Sequence, residues 1–172
     1  MNYGGIYKTS IADGLGWRTV LFVSGCSHAC PGCHNPESWD KNFGHPFTQE
    51  TMDILIRELS KDEIDGLTLS GGDPLMVDNR EDVENLVRTL KTILPEKSIW
   101  LYTGYDWDEI KDLSLLNYID VVVDGKFILA QRDITLAFRG STNQRIIDVQ
   151  KSLKENKVVE FPLGEVSYEK KQ

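Results

Sequence analysis

The chain has 172 residues, 40% hydrophobic and 27% charged, which suits one soluble globular domain with a substantial core. Its formal charge of −8 argues against nonspecific affinity for nucleic acid or anionic membranes, because both need a positive face. No apolar run approaches the roughly 18 residues that span a bilayer, and residues 1–5 lack the basic start and apolar stretch of a secretory signal, so a cytoplasmic location is expected.

In chain order, residues 18–23 (Arg-Thr-Val-Leu-Phe-Val) are short, apolar and β-branched and predict a buried strand. Ser24 and Gly25 end it, and a cysteine-rich loop follows. Residues 40–47 are polar, with Gly44 and Pro46, and predict a loop. Thr48 is the expected N-cap of a helix over 49–59, with Met52, Leu55, Ile56 and Leu59 on one face. Residues 67–69 predict a strand running into Ser70-Gly71-Gly72-Asp73-Pro74. Val83, Leu86, Val87, Leu90, Ile93 and Leu94 then recur at helical spacing until Pro95 stops the helix. A strand over 99–102 ends at Thr103-Gly104, Asp106 and Glu109 form a capping pair for a short helix, and 120–123 predict another buried strand closed by Asp124-Gly125-Lys126-Phe127. From about Lys151 the chain is rich in Lys and Glu and predicts a late helix with an exposed or partner-dependent end. The expected organisation is therefore a domain over 1–150 and a tail over 151–172.

Strands alternate with helices, and the strands are apolar throughout, which marks an α/β fold with a parallel sheet covered by helices. A full eight-unit barrel typically takes about 250 residues, so a partial, open parallel β/α barrel is expected. Segments 24–35, 70–74, 103–105 and 124–126 each follow a strand, and ligands in such folds bind at the carboxyl ends of the strands.

All three cysteines of the chain, Cys26, Cys30 and Cys33, lie in one short loop. An odd, clustered set is no disulfide framework and points to metal or redox chemistry. Three thiolates can each bind one iron of a four-iron cubane, which leaves one iron open to a substrate. The rival reading is a structural Cys3His zinc site, with His28, His34 or His45 as the fourth ligand. Structural zinc loops usually join two separated ligand pairs, however, and one tight loop staples nothing distant. His28 and His45 read as ordinary loop residues. Gly71 and Gly72 let backbone approach a ligand closely, and the loop carbonyls with the Asp73 carboxylate offer acceptors for an ammonium group. Lys126 is a candidate partner for a ligand carboxylate. Asp124 is a candidate to hydrogen-bond a ligand or hold a cation, although a plain ion pair is an equal reading.

The spacing Cys-x3-Cys-x2-Cys resembles the signature of the radical S-adenosylmethionine superfamily. Gly71-Gly72-Asp73 is similar to that superfamily's Gly-Gly-Glu motif, with Asp in place of Glu. More narrowly, the chain resembles the family of activating proteins of anaerobic (class III) ribonucleoside-triphosphate reductases. The likeness is carried by Met1-Asn2-Tyr3, Asp13-Gly14-Leu15-Gly16, Leu21-Phe22-Val23-Ser24-Gly25-Cys26, Trp39, Pro46-Phe47-Thr48, Leu69-Ser70-Gly71-Gly72-Asp73-Pro74-Leu75, Tyr102-Thr103-Gly104-Tyr105, Val123-Asp124-Gly125-Lys126-Phe127 and Arg139-Gly140-Ser141-Thr142-Asn143-Gln144-Arg145. Leu15 stands where Pro is usual, and His34 where an aromatic residue, Tyr, is usual.

The resemblance implies a partial barrel of the radical S-adenosylmethionine type over 1–150 and a [4Fe-4S] cluster on Cys26, Cys30 and Cys33. It implies S-adenosylmethionine on the open iron, with Gly32, Cys33 and His34 near the adenine and Gly71, Gly72 and Asp73 at the methionine amino group. Reductive cleavage of that cofactor yields a deoxyadenosyl radical, which takes a hydrogen from a glycine of the large reductase subunit and leaves a glycyl radical there. A low-potential donor such as flavodoxin is the expected electron source. An activase of another glycyl radical enzyme, of the pyruvate formate-lyase type, shares the cysteine spacing. The Arg139–Arg145 segment and the Met1-Asn2-Tyr3 start favour the reductase family. Residues 138–145 are basic in an acidic chain and are expected to touch the cofactor pocket or the partner.

Overall fold

The computed structural model describes residues 1–164. Seven strands form one sheet: β1 (Asn2–Ser10), β2 (Arg18–Val23), β3 (His45–Pro46), β4 (Gly66–Gly71), β5 (Ser98–Tyr102), β6 (Val121–Asp124) and β7 (Arg145–Asp148), in the order β3-β1-β2-β4-β5-β6-β7. Four of them, β2, β4, β5 and β6, are parallel neighbours. β1 and β3 extend one edge and β7 the other, all antiparallel to their neighbours. β3 and β7 lie at opposite edges, so the sheet is open. The helices are α1 (Gln49–Leu59), α2 (Arg80–Ile93), α3 (Trp107–Ile110) and α4 (Val149–Glu155).

The parallel strands form where apolar residues run without alternation, because both faces of such a strand are covered. Leu21 aligns with Leu69, and Leu69 with Leu101, and all three are fully buried. α1 starts at a reciprocal cap: the Thr48 hydroxyl accepts from Thr51 N–H, and the Thr51 hydroxyl accepts from Thr48 N–H. Leu55 and Leu59 enter the core, while Met52 and Ile56 pack at its margin. On α2, Val83, Leu86, Val87 and Leu90 are buried, whereas Ile93, the last residue of the helix, is half exposed. Asp106 and Glu109 make the expected capping box on α3.

Four elements depart from the sequence expectation. β1 lies outside every predicted strand, because its residues carry two glycines and no apolar run; antiparallel pairing with β2 is what makes it a strand. β3 falls inside the predicted 40–47 loop and pairs two residues with the start of β1. β7 carries only two apolar residues, Ile146 and Ile147, between Arg145 and Asp148, so neither an apolar run nor an alternation marks it. α4 begins at Val149, ahead of the predicted tail, and the chain after it returns along β7. There Phe161 N–H donates to Ile146 C=O at 2.8 Å, and its ring meets Trp100 edge-on at 5.5 Å.

The end of the sheet remote from the cysteines is tied by Arg18, which is 1% exposed. Its guanidinium donates to the carbonyls of Leu15, Leu67 and Ser98 and to the hydroxyls of Thr68 and Ser98, and it lies over the Trp100 ring. Burial lowers its pKa to about 10, still high enough to keep the charge at neutral pH. Among the described residues, no helix is long and apolar enough to cross a membrane.

Candidate metal centre

The cysteine loop leaves β2 under close backbone control. Ser24 N–H donates to Asn2 C=O, Gly25 N–H to Ser38 C=O at 2.7 Å and Cys26 N–H to Trp39 C=O at 3.1 Å. A turn within the loop joins Cys33 N–H to Cys30 C=O at 3.1 Å. The three thiols are free and half-buried, and all line one cleft of about 380 Å³ with His34, Gly71, Gly72, Asp73, Thr103 and Gly125. Phe22, Trp39 and Phe127 supply its apolar wall. That volume lies in the range of small-ligand sites. Burial pushes the Cys26 thiol pKa up, and the nearby Asp73, Cys30 and Cys33 push the same way against the His28 backbone N–H.

The Gly-Gly-Asp loop abuts the base of the cysteine loop. Gly72 N–H donates to Val23 C=O and Asp73 N–H to Gly25 C=O, each at 2.7 Å. Gly71 has φ of +102°, which only glycine adopts without strain. A Cβ on Gly72 would stand 2.6 Å from Gly25 O and 2.8 Å from Ser38 O, so the two loops meet backbone to backbone.

Both candidate carboxylates are buried and hydrogen-bonded within the protein, Asp73 at the wall of the cleft and Asp124 in the ion pair that is its equal reading. Asp73 is 1% exposed. Its Oδ1 accepts from Leu75 N–H at 2.8 Å and its Oδ2 from Gly104 N–H at 2.9 Å. The Thr103 hydroxyl spans both oxygens, and His28 Nε2 lies 2.6 Å from Oδ2. Asp124 is equally buried; it accepts from Trp107 N–H at 2.9 Å and from two guanidinium nitrogens of Arg145, at 3.1 and 2.6 Å. That hydrogen bonding raises the Arg145 pKa.

The remaining expected residues are distributed as follows. His34 lines the cleft, its ring tilted against Phe127 at 6.1 Å. Gly32 lies against Leu129 and Phe127 and is not among the residues that line the cleft. Lys126 opens into an adjoining recess with His28, Gly104 and Asn143. From the basic segment, Gly140 and Gln144 reach the cleft, while Arg139 donates to Gln144 C=O. Sequence reasoning passed over His28 as a loop residue. Its partner lies 45 positions away, and no local pattern announces a contact at that separation.

The donors present fit an iron–sulfur cluster. Three free thiols converge on one cleft, and His45 sits in β3 away from it. Cys26 Sγ, a His28 ring nitrogen and an Asp73 oxygen lie within 4.8 Å of one another, but His28 Nε2 is already bonded to Asp73. Three thiolates that each hold one iron of a four-iron cubane leave its fourth iron open to a substrate.

Fold and site together define an α/β protein with a single cluster-binding loop at the ends of its parallel strands. The family described as "4Fe-4S single cluster domain" matches residues 12–147. The chain is 47% identical over 148 residues to the anaerobic ribonucleoside-triphosphate reductase-activating protein of enterobacteria phage T4, covering 85% of this chain and 93% of that one. It is 49% identical to the protein of that name from Vibrio cholerae, over 85% and 97% of the two chains, and 44% identical to that from Escherichia coli K12, over 84% and 96%. The chain belongs to the family of anaerobic ribonucleoside-triphosphate reductase-activating proteins.

Proposed function

We propose that this chain activates an anaerobic ribonucleoside-triphosphate reductase by reductive cleavage of S-adenosylmethionine, on a radical-S-adenosylmethionine partial barrel formed by residues 1–150. The convergence of three free thiols on a cleft floored by Gly71 and Gly72 carries the reading. When bound, the [4Fe-4S] cluster supplies the electron that splits the sulfonium cofactor into methionine and the deoxyadenosyl radical that takes hydrogen from a glycine of the reductase. Cys26, Cys30 and Cys33 hold the cluster as thiolates. The carbonyls around Gly71 and Gly72 accept from the methionine ammonium, and Lys126 meets its carboxylate. His34 and Gly32 border the adenine. Phe22, Trp39 and Phe127 keep water from the reacting centre. The large reductase subunit covers the open side of the cleft, and a low-potential protein such as flavodoxin reduces the cluster. Residues 151–172 lie outside the catalytic domain in this reading; of these, 165–172 lie outside the described residues.

The test is anaerobic. Reconstituted, reduced protein mixed with S-adenosylmethionine and a class III reductase gives a glycyl radical doublet by electron paramagnetic resonance. Methionine release without a partner radical refutes the assigned substrate. Retained cleavage in Cys26→Ala, Cys30→Ala or Cys33→Ala refutes the site.

A further inference from the structure

An ionised carboxylate offers about four lone-pair sites, and Asp73 meets four donors: Leu75 N–H, the Thr103 hydroxyl, Gly104 N–H and His28 Nε2. No acceptor site is left for a ligand ammonium. The four donors come from the cysteine loop, from the loop after β4 and from the end of β5, so one buried anion joins three segments that line the cleft. Among the described residues, the His28 contact is the hydrogen bond that ties residues 27–32 to the strands.

The imidazole is boxed into this position. Tyr105 meets it edge-on at 4.6 Å, and the Tyr105 ring in turn carries the Arg80 guanidinium at 5.3 Å. Arg80 donates to Leu75 C=O, beside Asp73. A Cβ on Gly104 would stand 2.5 Å from His28 Cδ2, so the β5 end accepts this histidine only because it carries glycine there. With its side chain 7% exposed, His28 is placed as firmly as a core residue although it sits in a loop.

We propose that His28 and Asp73 form a positioning pair that locks the cysteine loop onto the ends of β4 and β5, and that Asp73 acts through His28 rather than by touching the bound cofactor. This rests on the function proposed above for the cleft. It assigns the methionine ammonium to backbone carbonyls alone, and it gives the histidine between the first two cysteines a structural partner.

Two measurements on the full chain test it. The first uses metal-free protein and hydrogen exchange of residues 26–33. His28→Ala is expected to speed exchange there about tenfold or more, the factor for losing one buried charge-assisted hydrogen bond. His28→Gln, whose side-chain amide reaches the same oxygen, is expected to restore protection. Equal exchange in wild type and His28→Ala, or His28→Gln behaving as His28→Ala, overturns the proposal. The second is a double-mutant cycle on the affinity of reconstituted protein for S-adenosylmethionine. Asp73→Asn is expected to cost clearly less in the His28→Ala background than in the wild type. Losses that simply add, as a direct charged contact with the cofactor would give, overturn the proposal. Wild-type protein that binds no S-adenosylmethionine refutes the proposed function instead, while the exchange result still decides the positioning pair.

Discussion

Asp124 and Arg145 are cross-strand partners in the antiparallel pairing of β6 with β7, and the guanidinium forks onto the buried carboxylate from the more exposed strand. The pair anchors the edge strand at the same end of the sheet as the cleft. Arg145→Met strands a carboxylate that is 1% exposed, and is expected to cost about 1–3 kcal/mol of stability. Adding Asp124→Asn should recover part of that loss. Denaturant midpoints of the wild type and the two variants check the order.

Gly72→Ala forces a methyl group against two backbone carbonyls that cannot swing away. The expected cost is about 1–3 kcal/mol, typical of overpacking. Because the displaced backbone is Gly25, next to Cys26, iron bound per chain should fall more steeply than folded fraction. Iron analysis beside circular dichroism reads both.

Much of the fold was legible because its signals are local. The apolar runs of β2, β4, β5 and β6, and the 3.6-residue spacing of α2, report burial directly. β1 and β7 were not legible, since pairing rather than composition makes them strands. The cysteine loop declared its chemistry by residue type and spacing. The surroundings of Asp73 did not: its donors come from positions 28, 75, 103 and 104, which only the folded sheet brings together. Asp124 shows the same limit. A strand-end Asp reads alike whether it faces a ligand or an arginine 21 residues later.

Glu58 gives a pH dependence. Its buried carboxylate is bonded to Lys61, with Arg57 and Lys8 nearby, and the Lys61 hydrogen bond above all lowers its pKa below the ordinary 4.5. The unfolded chain therefore binds this proton more readily than the folded one. The stabilisation is present above about pH 4.5 and is lost as pH falls through the lower folded-state value. Glu58→Gln should flatten the acid limb of a stability–pH profile in that window and leave its slope near neutrality unchanged.

Chelating the iron is expected to leave far-UV circular dichroism unchanged, because none of the three cysteines belongs to the buried core. Thermal stability should still drop, since the cluster binds the folded chain. Each kcal/mol of binding lost lowers Tm by about 2–4 °C for a chain of this size. Collapse of the far-UV signal would mean that the cluster, and not the sheet, organises the fold.

Among the described residues β3 and β7 are separate edges of one open sheet, and this sets a topological condition on anything large that docks across the strand ends. A closed tube is threaded from its mouth, by a chain end or a hairpin narrow enough to fit. An open sheet with two separate edges can be approached from the side. A polypeptide can then lie across the strand ends with both of its flanks continuing outside, and it can leave without being drawn through. An internal segment of a folded protein thus needs no free terminus and no unfolding of its own body to present a single backbone carbon.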